Sequence, residues 1–167
     1  MSKPQPQYFN AIISAPRFAL GVYCDENWVE EIVFLPPQYD RMGDNALAME
    51  AATQLIRWLR NPHNRFDLPL KPSGTPFRRK VWDAISAIPV GETRSYGELA
   101  RTIGSAPRAV GGACGDNPFP IIVPCHRVVA QNAQFNGGLG GFAHSRDRLH
   151  MDIKRWLLQH EKNHVPG

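Results

Sequence analysis

The chain has 167 residues, 43% of them hydrophobic, with 19 Lys and Arg against 15 Asp and Glu and a net charge of +4, enough for one large domain or two small ones around hydrophobic cores. No apolar run approaches the roughly 20 residues that span a bilayer, and Met1-Ser2-Lys3-Pro4-Gln5-Pro6-Gln7 lacks the apolar core of a signal peptide, so a cytoplasmic protein with no membrane partner is expected. Cys24, Cys114 and Cys125 are odd in number and at no CxxC spacing, which argues against a disulfide framework and a four-ligand zinc site. Reduced thiols are expected.

Phe9–Ser14, Phe18–Cys24 and Trp28–Phe34 are short runs rich in β-branched and aromatic residues, separated by Ala15-Pro16-Arg17 and Asp25-Glu26-Asn27, and they predict an antiparallel meander. Asn45 then caps a helical pattern in which Leu47, Ala51, Leu55, Trp58 and Leu59 recur at helix spacing as far as Asn61-Pro62. That helix is expected to pack on the sheet. Pro69, Pro72 and Gly74 mark residues 67–74 as a linker. The order of elements predicts an α/β (α+β) fold in two domains, 1–73 and 74–167. Residues 1–73 carry 7 Lys and Arg against 8 Asp and Glu, whereas residues 74–167 carry 12 against 7. The second domain holds the excess positive charge, which suits a polyanion or a merely solvated basic face.

Thr75-Pro76 is the N-cap and first residue of a helix whose apolar face is Phe77, Val81, Trp82 and Ile85, with Arg78, Arg79 and Lys80 on the rest. Ser95-Tyr96-Gly97-Glu98 has capping-box spacing and opens a short helix to about Ile103. Gly104-Ser105-Ala106 turns the chain, and Pro107 starts another helix holding Arg108, Ala109, Val110, Gly111, Gly112, Ala113 and Cys114, so the pair predicts a helix-turn-helix. Two adjacent glycines cost about 1 kcal/mol each in a helix. Either the helix packs closely on its own core, or a slim face lets its backbone approach a partner such as a DNA groove, with an arginine reaching the base stack. The last helix, Arg148–Lys162, places Ile153, Trp156, Leu157 and His160 on one side, with Lys154, Arg155 and Glu161 elsewhere.

Pro120-Ile121-Ile122-Val123-Pro124-Cys125-His126-Arg127-Val128-Val129 carries the chemistry. Pro124 biases Val123 towards an extended conformation, so Cys125 is expected to follow a rigid segment. A cysteine attacks as thiolate and needs a neighbouring base or cation, for which His126 is the nearest candidate. A Cys-His pair in an apolar run is also what an ordinary buried core contains. Glu161, near the end of the last helix, could orient His126 or lie on the surface.

Pro124-Cys125-His126-Arg127-Val128, with Arg108-Ala109-Val110-Gly111-Gly112 and Asn117-Pro118 before it, resembles the O6-alkylguanine-DNA alkyltransferases. The likeness continues in Gly74-Thr75-Pro76-Phe77, in Gly91-Glu92-Thr93-Arg94-Ser95-Tyr96-Gly97-Glu98-Leu99-Ala100 and in Lys154-Arg155-Trp156-Leu157-Leu158-Gln159-His160-Glu161. It implies a ribonuclease-H-like N-terminal domain and a mainly helical, winged-helix-like second domain. It also implies a monomeric repair protein, able to cluster along DNA and nucleoid-associated in a bacterium. Such a protein flips O6-alkylguanine, and also O4-methylthymine, out of the duplex and moves the alkyl group irreversibly onto its own cysteine.

By motif position Cys125 is the acceptor, His126 the base working through a water, and Glu161 the residue that orients it. Asn117 ties the recognition helix to the active-site segment, and Lys154 lies near the leaving oxygen. Tyr96 crowds the phosphate and donates to guanine N3, and the carbonyls of Cys125 and Val128 accept from the guanine amino group. Arg108 fills the vacated space, and Thr75, Ser95, Tyr96, Ala109, Gly111, Gly112 and Arg127 are expected to contact DNA. No cofactor is implied. The family's zinc site would need more than Cys24 and His63, so no metal is expected.

The turn between Tyr96 and Arg108 is shorter than is usual in that family, and the loop 131–152, with Gly137-Gly138-Leu139-Gly140-Gly141-Phe142, is longer. Three other readings compete. A non-catalytic alkyltransferase-like lesion sensor lacks the acceptor thiol, and Cys125 speaks against it. A Cys125-His126-Glu161 hydrolase would need an oxyanion hole and would turn over. A helix-turn-helix regulator needs long side chains in the major groove, which Gly111-Gly112 does not supply.

Overall fold

The computed structural model describes residues 8–130 and 147–165. The chain divides between Pro72 and Ser73 into two compact units, and the fold is mixed α/β.

In the N-terminal unit β1 (Ala11–Ser14), β2 (Ala19–Cys24) and β3 (Val29–Leu35) form an antiparallel sheet in the order β1-β2-β3. All six residues of β2 are buried, as the central strand of a covered meander requires. α1 (Ala46–Arg60) starts where the Asn45 side chain accepts from the Ala48 N–H at 2.8 Å, and it buries Ala48, Ala51, Leu55 and Trp58 against the strands. The expected strands and helix are present, with ends shifted by a residue or two.

In the C-terminal unit α2 (Pro76–Ser86) is capped by the Thr75 hydroxyl, which accepts from the Arg78 N–H at 3.1 Å. α3 (Tyr96–Ile103) carries the complete Ser95–Glu98 capping box and stops at Gly104, whose φ of 71° puts it in the left-handed region. α4 (Pro107–Gly115) follows across the turn and packs on α2 and α3. The Trp82 indole N–H donates to the Ala113 carbonyl at 2.8 Å and anchors the end of α4. Two short parallel strands, β4 (Arg94–Ser95) and β5 (Val128–Val129), were not expected from local pattern. They join the start of α3 to the residues after Cys125.

α5 (Arg148–Lys162) corrects the expected face of the last helix. Ile153, Lys154, Leu157, His160 and Glu161 are its buried residues, spaced as one stripe of a helix. Lys154 and Glu161 therefore point into the protein, at 0% and 1% exposure. Residues 131–146, which hold Gly137–Phe142 and most of the loop 131–152, lie outside the described residues. No described helix is long and apolar enough to cross a membrane.

Candidate active site

The run before Cys125 has Val123, the residue that Pro124 biases towards an extended conformation, in a β-bridge with Pro120. It folds back, with the Val123 N–H donating to the Phe119 carbonyl at 2.9 Å, and Ile121 takes a φ of 76°, a region that β-branched residues seldom occupy. Closure of the turn by the pairing of Pro120 with Val123 outweighs Ile121's own preference for negative φ. Cys125, His126 and Arg127 then make one turn of 3-10 helix, closed by the Val128 N–H on the Cys125 carbonyl.

Asn117 holds this turn to α4. Its side-chain amide donates to the Val123 carbonyl at 2.9 Å and to the Cys125 sulfur at 3.2 Å. Its side-chain oxygen accepts from the Phe119 N–H at 2.9 Å, and its own N–H donates to the Cys114 carbonyl at 3.2 Å. Cys125 is buried, at 5% exposure. Cys114 and burial raise the Cys125 thiol well above its ordinary pKa, while Asn117 and Lys154 pull it down. The resting sulfur is a protonated thiol at neutral pH, so its proton must leave as it reacts.

His126 is fully buried and turned towards Glu161, hydrogen bonded from Nε2 to Oε2. Burial pushes the imidazole below its ordinary value against the pull of Glu161, so the ring is neutral at neutral pH. Burial also raises Glu161, but the hydrogen bonds and charges of His126 and Arg127 bring the carboxyl down to about 2. An ionised carboxylate only accepts, so Nε2 carries the hydrogen and Nδ1 is the basic nitrogen.

Arg127, expected at the DNA surface, is buried. Its Nε donates to Glu161 Oε1 at 2.6 Å, and a terminal nitrogen donates to the Ile88 carbonyl at 2.6 Å. A buried carboxylate needs a cation more than a solvated phosphate does, and Arg127 is that cation. Ser95 is likewise buried, its hydroxyl accepting from the Glu98 N–H at 3.0 Å.

The Lys154 ammonium donates to the Val128 carbonyl at 2.7 Å and stands 5.9 Å from the centre of the Tyr96 ring. Burial lowers it to about 8 against the pull of Cys114 and Cys125. Both carbonyls expected to receive a guanine amino group thus already accept one hydrogen bond, Cys125 from Val128 and Val128 from Lys154.

On α4, Arg108 and Ala109 are exposed, and Arg108 pairs with no carboxylate among the described residues. A Cβ at Gly112 would meet nothing within 4 Å, and one at Gly111 would make ordinary contact with the Tyr96 ring at 3.9 Å. The glycines are therefore not required by packing within the unit. Thr75 is exposed beside Arg79 and Lys80 on α2. Two residues escaped sequence reasoning. Cys114 carried no signal beyond its place in the glycine helix, and the role of Arg127 was hidden because a motif arginine reads equally well as a DNA contact. Among the described residues no group of three or more His, Cys, Asp and Glu could hold a metal.

What such residues can do together is displacement by a thiol, with a neutral imidazole to take its proton and a carboxylate to steady the imidazole. Residues 76–163 match the DNA binding domain of 6-O-methylguanine DNA methyltransferase. The methylated-DNA–protein-cysteine methyltransferase of Methanosarcina mazei is 36% identical over 162 residues, covering 92% of this chain and 97% of the relative. The Mycobacterium tuberculosis protein solved in complex with DNA is 35% identical with a TM-score of 0.74, over 93% of this chain and 94% of that one. An O6-methylguanine DNA methyltransferase from Methanococcus jannaschii is 26% identical with a TM-score of 0.63, over 93% and 95%. The chain belongs to the methylated-DNA–protein-cysteine methyltransferase family.

Proposed function

We propose that this protein repairs DNA by direct reversal, moving the alkyl group of O6-alkylguanine, and also of O4-methylthymine, onto Cys125. The observation that carries the reading is the buried network in which Asn117 ties the Cys125 sulfur to α4 while His126 and Glu161 lie in the same turn's surroundings. The sulfur attacks the alkyl carbon, the S–C bond forms, and the C–O6 bond breaks. The thiol proton passes through a water to Nδ1 of His126, and the departing guanine receives a proton at N3 from Tyr96. Lys154 places a cation beside the sulfur, which favours the thiolate as the proton leaves.

The product is a thioether without a carbonyl for water to attack, so each molecule acts once. A rigid, buried thiol cannot reach a stacked base, so the nucleotide must be flipped, at a cost of a few kcal/mol. Arg108, exposed at the start of α4, suits the vacated space, and the open glycine face of α4 suits close approach to a groove. Ala109, Thr75, Arg79 and Lys80 lie on surface available to phosphates. By likeness to the relatives we read the N-terminal unit as ribonuclease-H-like, the C-terminal unit as winged-helix-like, and the protein as a monomer.

The test is the intact mass of the protein before and after incubation with a duplex carrying O6-methylguanine. One methyl increment on the peptide containing Cys125, absent in Cys125→Ala, is the expected result. Tight binding with unchanged mass would instead make the protein a lesion sensor.

A further inference from the structure

Three cations follow one another in the first turns of α2, and one of them is neutralised. Arg78 pairs with Asp116, Nη2 to Oδ2 at 2.7 Å, whereas Arg79 and Lys80 are exposed and pair with no carboxylate among the described residues. Arg78 and Trp82 lie one turn apart on the face of α2 that meets α4. The Trp82 indole N–H donates to the Ala113 carbonyl at 2.8 Å, and the Arg78 guanidinium reaches Asp116, the C-cap of α4. A carboxylate at that end of a helix opposes the macrodipole. The Arg78 and Asp116 side chains remain 41% and 34% exposed, and a pair so open to water adds little to stability. Buried Trp82 is the firmer fastening between the two helices.

We infer that Asp116 limits the affinity of the protein for undamaged DNA by holding Arg78 back from phosphate. The inference rests on the DNA-binding reading above, in which Thr75, Arg79 and Lys80 beside α2 and the glycine face of α4 meet the duplex. Arg78 bridges those two helices, and a free guanidinium there adds one more phosphate contact, of the kind that positions a protein without reading sequence. Paired with Asp116 it offers the DNA no net charge. The half-exposed carboxylate also opposes an approaching phosphate.

Such restraint suits a protein that must find one altered base among many normal ones. Each phosphate contact strengthens binding to every sequence alike through counterion release, so a further contact holds the protein longer on DNA that needs no repair. The chemistry at Cys125 gains nothing from it.

The experiment is a double-mutant cycle on the full chain, read as the dissociation constant for an unmodified duplex over a series of salt concentrations. Asp116→Asn should bind about fivefold more tightly, near the upper worth of an exposed ion pair, with a salt slope steeper by about 0.9, the mark of one added phosphate contact. Arg78→Ala alone should stay within about twofold of wild type, as an ordinary surface change does. Combined with Asp116→Asn, it should cancel both the tighter binding and the steeper slope. A gain that survives in the double variant would mean that Asp116 acts by plain repulsion, and weaker binding with a flatter slope in Arg78→Ala alone would mean that Arg78 already touches phosphate. Either result overturns the inference, as does Asp116→Asn that binds like wild type. Asp116→Ser repeats the reading if the asparagine variant does not fold. Wild type that binds no duplex overturns the proposed function as well, whereas a flat cycle in a protein that binds duplex and accepts a methyl group overturns this inference alone.

Discussion

Arg127 clamps Glu161: its Nε donates to Oε1 at 2.6 Å and to Oε2 at 3.2 Å, and the same carboxylate steadies His126. Removing one partner of a buried ion pair costs about 3–5 kcal/mol, because the other charge stays behind unpaired. Arg127→Ala should therefore lower the melting temperature and slow transfer from duplex DNA and from free O6-methylguanine alike. The salt dependence of duplex binding should not change. A variant of normal stability with weaker, less salt-dependent binding would return Arg127 to the DNA surface.

Glu161 also sets an acid limit. Its carboxyl is lowered from 4.5 to about 2 in the fold, so the unfolded chain binds the proton more readily. The stabilisation is complete above about pH 4.5 and is lost as pH falls towards about 2. His126, lowered from 6.5 by burial, adds a loss that begins at higher pH, since folding disfavours its charged form. In Glu161→Gln the loss between about pH 4.5 and 2 should shrink, as read from denaturant unfolding at a series of pH values. An unchanged slope in that window would contradict the assignment.

Gly111 and Gly112 separate stability from function. No clash awaits a Cβ at either position, and replacing glycine by alanine in a helix stabilises by up to about 1 kcal/mol. Gly111→Ala and Gly112→Ala should raise the melting temperature while slowing transfer from duplex DNA, and transfer from the free base should stay near wild type. Equal or faster repair of duplex would mean that the open face of α4 does not meet DNA.

Arg108 is exposed and pairs with no described carboxylate, which removes the reading of it as a helix brace. Arg108→Ala should leave the folding stability within about 0.5 kcal/mol of wild type. Single-turnover transfer from duplex should slow, and transfer from the free base should not. Slowing of both would remove Arg108 from base flipping. A uniform loss of duplex affinity, with the salt slope reduced by about one contact, would make it a phosphate ligand.

Helix starts were legible in the chain because capping is local. Asn45, Thr75 and the Ser95–Glu98 box bond to backbone three residues away, so spacing alone specifies them. The acceptor motif was legible for the same reason: Cys125 and His126 are neighbours in sequence, and the residues around them carry the family's likeness. The pairing of His126 with Glu161 was only suggested, since their 35-residue separation is set by how α5 docks.

Tertiary structure decided what surrounds that motif. Whether Lys154 and Glu161 belong to the apolar or the polar side of α5 depends on which stripe the rest of the unit covers, and the Cys125 turn covers theirs. Arg127 is a buried counter-ion because Glu161 is itself buried: a carboxylate out of water needs a cation within reach. Ile121 adopts a positive φ because closing the turn overrides its own preference. The end of α4 meets the acceptor turn only through Asn117, whose N–H reaches the Cys114 carbonyl while its side-chain amide reaches the Cys125 sulfur. Short-range hydrogen bonds and motif spacing are written along the chain, whereas burial and charge pairing are properties of the packed unit, and no single stretch of sequence carries them.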